Sequence, residues 1–225
     1  MPHDAVIRMD IESTKLRIVY DGSAKSPGQQ RSLNDCLPTC PNYLPQLAEV
    51  LMRFRWNRIA ITADIEKAFL MISIQENQRN MLRFLWLKDP YVLDSEVLQL
   101  RFCRLVLGLR SSPYILGATL THHLDVHRGQ HAELVELIKN SLYVIDLLTG
   151  VKSVQEGFEL YQQSKELMAN GAFNLQKWNS NSTDLLQLIN KKEEGFIEPK
   201  AEETNRAVEE EDESFIISPP LDRIK

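Results

Sequence analysis

A chain of 225 residues, 43% apolar and 8% aromatic, is long enough for one domain with a core, or for one domain and a tail. It has no apolar run near the roughly 20 residues of a membrane helix and only three cysteines, too few and odd for a disulfide framework; from the mixed, charged MPHDAVIRMD no leader segment is expected. The expectation is an intracellular protein, cytoplasmic or nuclear, with no membrane partner. Of 26 Lys/Arg and 31 Asp/Glu, 6 and 11 lie in residues 191–225, which leaves 20 of each sign before them, so the net charge of -5 belongs to the tail. A neutral body neither requires nor excludes a nucleic-acid partner, which depends on local patches.

In chain order, KLRIVY (15–20) reads as a strand, and DGSAKSPGQQRS as a loop rich in Gly, Ser and Lys. PNYLPQLAEVLMRFRW predicts a helix with Leu44, Leu47, Val50, Leu51 and Phe54 on one face. RIAITADI alternates, with Ile59, Ile61, Ala63 and Ile65 on one side and Ala60, Thr62 and Asp64 on the other. A helical turn follows at EKAF. LRFLWL and VLQLRFCRLVL read as strands joined by the turn DPYVLDSE. SSPYILGATLTHHLDV predicts a helix that Pro113 can start. SLYVI and LLTGV predict a hairpin around Asp146. VQEGFELYQQSKELMANG predicts an amphipathic helix stopped by Gly171, and FNLQKWN a last strand. From Lys191 the composition turns acidic and poor in apolar residues, the signature of disorder. Strands and helices mix without regular alternation, so the fold class is α+β.

Asp64 and Asp146 are each the lone acid in an apolar run. A buried carboxylate without a partner is costly. One explanation is local: Asp64 as a helix N-cap and Asp146 as a turn residue. The other is that both converge on Mg²⁺, a hard cation that takes oxygen ligands and leaves positions for water or phosphate. Two such ions about 4 Å apart can activate a 3′-hydroxyl and stabilise leaving pyrophosphate.

KLRIVYDGSAKS…SLNDCL, ITADIEKAFLMISI, LRFLW, LRFCRLVLGLRSSPYIL and FNLQKWNSN, five motifs in order from about Pro2 to Asp184, together resemble the reverse transcriptase of BEL/Pao-type LTR retrotransposons. The resemblance implies a right-hand polymerase palm with partial fingers, an antiparallel sheet packed on helices. It places a fingers-like segment at 1–40, the palm at 41–190 with part of the fingers around 77–106, and an acidic disordered tail at 191–225. It implies Asp64 and Asp146 as catalytic metal ligands. Phe69 would exclude a ribose 2′-hydroxyl. Arg17 would contact the triphosphate, Gly108 would let backbone approach nucleotide and template, and Lys177 would match a lysine that protonates pyrophosphate. The implied partners are an RNA/DNA primer–template and a dNTP, and the implied cofactor is Mg²⁺, two ions in the intact family.

One departure is decisive. The family's Tyr-Val-Asp-Asp-Leu-Leu-Thr-Gly here reads Tyr143, Val144, Ile145, Asp146, Leu147, Leu148, Thr149, Gly150. The acid that would ligate the metals with Asp64 is Ile145, which has no lone pair. Metal binding should weaken, and the expectation is little or no polymerase activity. The chain also starts and stops where the family continues, so a fragment of a decaying element is expected. Its function would then be an impaired reverse transcriptase domain, or a non-catalytic remnant that binds nucleic acid or a protein partner.

Other constellations carry less. Cys36 and Cys40 form a C-x₃-C pair with no second pair, a poor zinc site. His123, His127 and His131 recur every four residues, but Gly129 interrupts the spacing, so surface histidines are the better reading.

Overall fold

The computed structural model describes residues 1–7, 16–28, 30–38, 40–89 and 91–194, together with a short strand at 221–223. The chain forms two compact units, one from residues 1–40, 69–112 and 204–225, the other from 41–68 and 113–203.

In the first unit, β1 (His3–Ile7) and β2 (Leu16–Tyr20) form an antiparallel ladder in which Val6 pairs with Arg17. The loop after β2 leads to the single turn α1 (Leu33–Cys36), which Ser32 and Asp35 close as a reciprocal capping box. A second sheet contains β4 (Arg83–Leu87), β5 (Val97–Phe102) and β9 (Leu221–Arg223), in the order β4-β5-β9. Its core is aromatic. Phe84 and Phe102 stack with centroids 4.7 Å apart, and Tyr20 meets Phe102 edge-on at 4.6 Å. Leu82, Leu100, Val106 and Leu109 complete the cluster. Such ring pairs add about 1 kcal/mol each beyond the area they bury.

The second unit is built on a four-stranded antiparallel sheet of order β6-β7-β3-β8, namely β3 (Ile59–Ile65), β6 (Leu142–Tyr143), β7 (Asp146–Val151) and β8 (Leu175–Ser180). The alternation read from RIAITADI is realised: Ile59, Ile61, Ala63 and Ile65 are buried and the intervening residues are not. The helices are α2 (Leu47–Trp56), α4 (Ser112–His127), α5 (Ala132–Ser141), α6 (Val154–Ala169) and α7 (Thr183–Glu194); a further single turn, α3 (Glu76–Arg79), belongs to the first unit. Gly157 lets α6 cross the sheet closely, since a Cβ there would stand 2.7 Å from Leu185 and 3.3 Å from Ile61. Tyr161, Leu167 and Met168 of α6 and Leu185 and Ile189 of α7 complete the core over β3. Each fully buried Ile or Leu contributes roughly 2 kcal/mol.

The structure departs from the sequence reading in several places. Helix α2 begins at Leu47 and buries only Val50; Leu47 and Leu51 are 43% and 39% exposed. Helices α5 and α7 were not foreseen, although Leu134, Val135 and Ile138, and Leu185 and Ile189, mark their buried stripes. The turn expected at EKAF is a 3₁₀ helix, Ala68–Met71. The tail expected to be disordered from Lys191 is helical through Glu194 and pairs with β5 at Leu221–Arg223; residues 195–220 lie outside the described residues. Among the described residues, no helix is long and apolar enough to cross a membrane.

Candidate functional site

The hairpin of the second unit is displaced by one residue from its expected centre. Tyr143 pairs with Asp146, so Val144 and Ile145 are the two turn residues and Asp146 opens β7. Val144 has φ of 57°, an uncommon conformation for a β-branched residue that costs on the order of 1–2 kcal/mol. Two-residue hairpins whose first turn residue has positive φ match the strand twist, which explains why the strain is tolerated. The Ile145 carbonyl accepts a hydrogen bond from the Ile65 N–H at 2.9 Å and fastens the turn to the end of β3.

That register sets Asp64 directly opposite Asp146. Side chains so paired across antiparallel strands lie about 5 Å apart at Cβ. The two acids distant in sequence are therefore neighbours on one sheet face. Neither local explanation holds, because Asp64 is inside a strand and caps no helix, and Asp146 is a strand residue rather than part of the turn.

Strand β8 closes the other side of Asp64. Its pairing with β3 shifts register between Thr62 and Asp64, so that Lys177 and Trp178 together stand opposite Ala63, a β-bulge. Lys177 sits at φ of 53°, a left-handed conformation rare for lysine. The bulge sends the two side chains apart. Trp178 packs edge-on against Tyr161 at 5.0 Å, while the Lys177 ammonium donates to Asp64 Oδ2 at 2.8 Å. The other oxygen, Asp64 Oδ1, is buried and has no hydrogen-bond partner among the described residues.

Electrostatics follow from this arrangement. Partial burial first, then the charge of Asp64, raise the Asp146 pKa above 3.8, and Lys177 partly offsets them. A carboxyl whose pKa is raised on folding holds its proton more tightly folded than unfolded. Its charge is thus a penalty at neutral pH that is relieved as pH falls through the raised pKa toward 3.8. Asp146→Asn is expected to be more stable than the parent at pH 7, by no more than ~0.5 kcal/mol for so exposed a group. The advantage should shrink to nothing in acid; urea titrations at pH 7 and pH 4 check it, and a larger advantage at the lower pH would contradict it.

The residues do not fit a two-ion centre. Asp64 and Asp146 are two carboxylates only, and among the described residues no group of three His, Cys, Asp or Glu side chains could hold a metal. Ile145, in the adjoining turn, offers no donor side chain. Lys177 occupies one oxygen of Asp64, and the other is closed to solvent. An ion that keeps several waters needs more open oxygens than this.

The other residues implied by the resemblance belong to the first unit. Gly108 has φ of 99°, and a Cβ there would lie 2.8 Å from the Tyr20 carbonyl oxygen. Asn34 clamps this loop: its Nδ2 donates to the Gly108 carbonyl at 3.0 Å, and its Oδ1 accepts from the Arg110 N–H at 2.9 Å. Asn34 was missed in the sequence, although the capping box that places it, Ser32 to Asp35, is legible there. Phe69 is half-buried in the 3₁₀ turn, and its carbonyl accepts from the Ile72 N–H. The Arg17 side chain lies outside the described residues. Of the histidines read as surface residues, His123 and His127 are half-buried: a His123 ring nitrogen bonds the Leu167 carbonyl and a His127 ring nitrogen the His123 carbonyl, while His131 is exposed and precedes α5.

An antiparallel sheet with a β3–hairpin–β8 core, packed on helices and carrying facing acids at the hairpin, has the fold of a reverse transcriptase polymerase domain. The solved structures it resembles are of foamy virus protease–reverse transcriptase. The form in complex with RNA/DNA hybrid matches with a TM-score of 0.54 at 18% identity, over 77% of this chain and 20% of that chain. The form in complex with dsDNA matches with 0.54 at 19%, over 77% and 30%. A CSH mutant of the prototype foamy virus protein matches with 0.53 at 17%, over 76% and 19%. This chain thus spans less than a third of the length of those proteins. No family model matches it.

Proposed function

We propose that this chain is a reverse transcriptase domain fragment of the BEL/Pao LTR-retrotransposon type. Its ancestral activity is magnesium-dependent DNA synthesis on an RNA or DNA template, and that activity is impaired here. In this reading 41–190 is palm, 1–40 and about 77–106 are fingers, and Arg17, Phe69 and Gly108 keep the nucleotide- and template-binding roles that the resemblance implies. The observation that carries it is the pairing of Asp64 with Asp146 across β3 and β7, with Ile145 in the turn beside them. Two strands bring Asp64 beside Asp146, the second acid of the family's pair, and the first, which would ligate the metals with Asp64, is replaced by the aliphatic Ile145. The foamy virus proteins of similar fold were solved with RNA/DNA hybrid and with dsDNA, which supports a primer–template as the partner retained when catalysis is lost.

Such binding rests on phosphate contacts rather than on the acids, so it should weaken steeply with salt. Affinity for a fluorescent primer–template should fall at least ~10-fold between 50 and 200 mM salt. The Asp64→Ala variant should bind as the parent does. No binding at low salt would remove nucleic acid as the partner.

A further inference from the structure

We infer that Lys177 is a built-in counter-cation of the Asp64–Asp146 pair, holding the place beside Asp64 that a divalent ion would otherwise take and keeping the pair free of metal. The inference rests on the reading of these acids given above, and goes beyond it in assigning their resident partner. Two features converge, an ion pair and the backbone distortion that delivers it. The ammonium is 2.8 Å from Asp64 Oδ2. It is delivered by a β-bulge, the device by which strands re-aim a side chain. The bulge requires a left-handed backbone at Lys177 itself, a strained conformation that persists only where its surroundings enforce it. With Ile145 contributing no donor, a hydrated ion offered at most two carboxylates would have to displace a tethered ammonium. The ammonium is always at hand, whereas the ion must be bound from solution.

Mn²⁺ titration of the full chain by electron paramagnetic resonance tests this. The parent should show no saturable site tighter than ~1 mM. Lys177→Met, an unbranched side chain one atom shorter and without the charge, should bind one Mn²⁺ at least ~10-fold more tightly. Lys177→Arg should behave like the parent, and Lys177→Met with Asp146→Asn should lose the gained site. Lys177→Met should also melt lower than the parent without metal and recover when Mn²⁺ is added. Saturable binding by the parent as tight as that of Lys177→Met would overturn the inference. So would a Lys177→Met protein that melts as the parent does and gains no site. Should Lys177→Met not fold, the same titration of Lys177→Gln, which also removes the charge, decides: no gained Mn²⁺ site would overturn the inference. Failure here is distinct from failure of the functional reading, which rests on primer extension and nucleic-acid binding.

Discussion

Ile145→Asp is expected to raise single-nucleotide primer extension at least ~100-fold over the parent in the presence of Mg²⁺. One electrostatic contact made in a transition state is worth about 10²- to 10³-fold in rate, and a ligand shared between ions should be worth no less. The geometry favours the gain. Position 145 is fixed by its carbonyl to the Ile65 N–H, one residue beyond Asp64, and its neighbour Asp146 is in register with Asp64. A third carboxylate at this point adds a donor to two already assembled and helps an ion compete with Lys177. The same change places like charges together. Without a divalent cation the variant should therefore be less stable than the parent, by about 1 kcal/mol, and Mg²⁺ should restore it. Two outcomes count against the reading: a parent that extends primers as well as the variant, or a variant that neither gains activity nor responds to Mg²⁺.

Gly108→Ala should be among the most damaging single changes in the first unit, costing about 3 kcal/mol. Two penalties add. A φ of 99° is a conformation that side chains other than hydrogen rarely adopt. The new methyl would also meet the Tyr20 carbonyl at 2.8 Å, and a backbone oxygen within a strand cannot rotate away. Gly28 provides the control. Its φ is 84°, but nothing lies within 4 Å of where its Cβ would be. Gly28→Ala should cost only the conformational part, about 1 kcal/mol. Urea denaturation followed by intrinsic tryptophan fluorescence would separate the two variants. Equal destabilisation would show that the Tyr20 contact is immaterial. The glycine that the resemblance assigns to close approach of nucleotide and template thus has a requirement within its own unit as well, and the Asn34 clamp holds the loop in that shape.

Much of this protein is legible along the chain. The alternation of Ile59, Ile61, Ala63 and Ile65 determined a one-sided strand and put Asp64 on its open face, because a period of two admits no other arrangement. The α+β class and the solitary character of Asp64 and Asp146 followed from the same local patterns. Helices α5 and α7 were within reach of that reasoning, since their buried residues recur at helical spacing. The tertiary structure decided the rest. Strand register is a pairing property, so no local pattern could set Asp64 opposite Asp146 or move the turn to Val144 and Ile145. Nor could it announce the bulge in β8: FNLQKWN reads as an ordinary strand, and only its misfit against Thr62 and Asp64 turns Lys177 onto a carboxylate 113 residues away. Chemistry between residues remote in sequence is created by pairing, and pairing is settled by the competition of the whole sheet for its core.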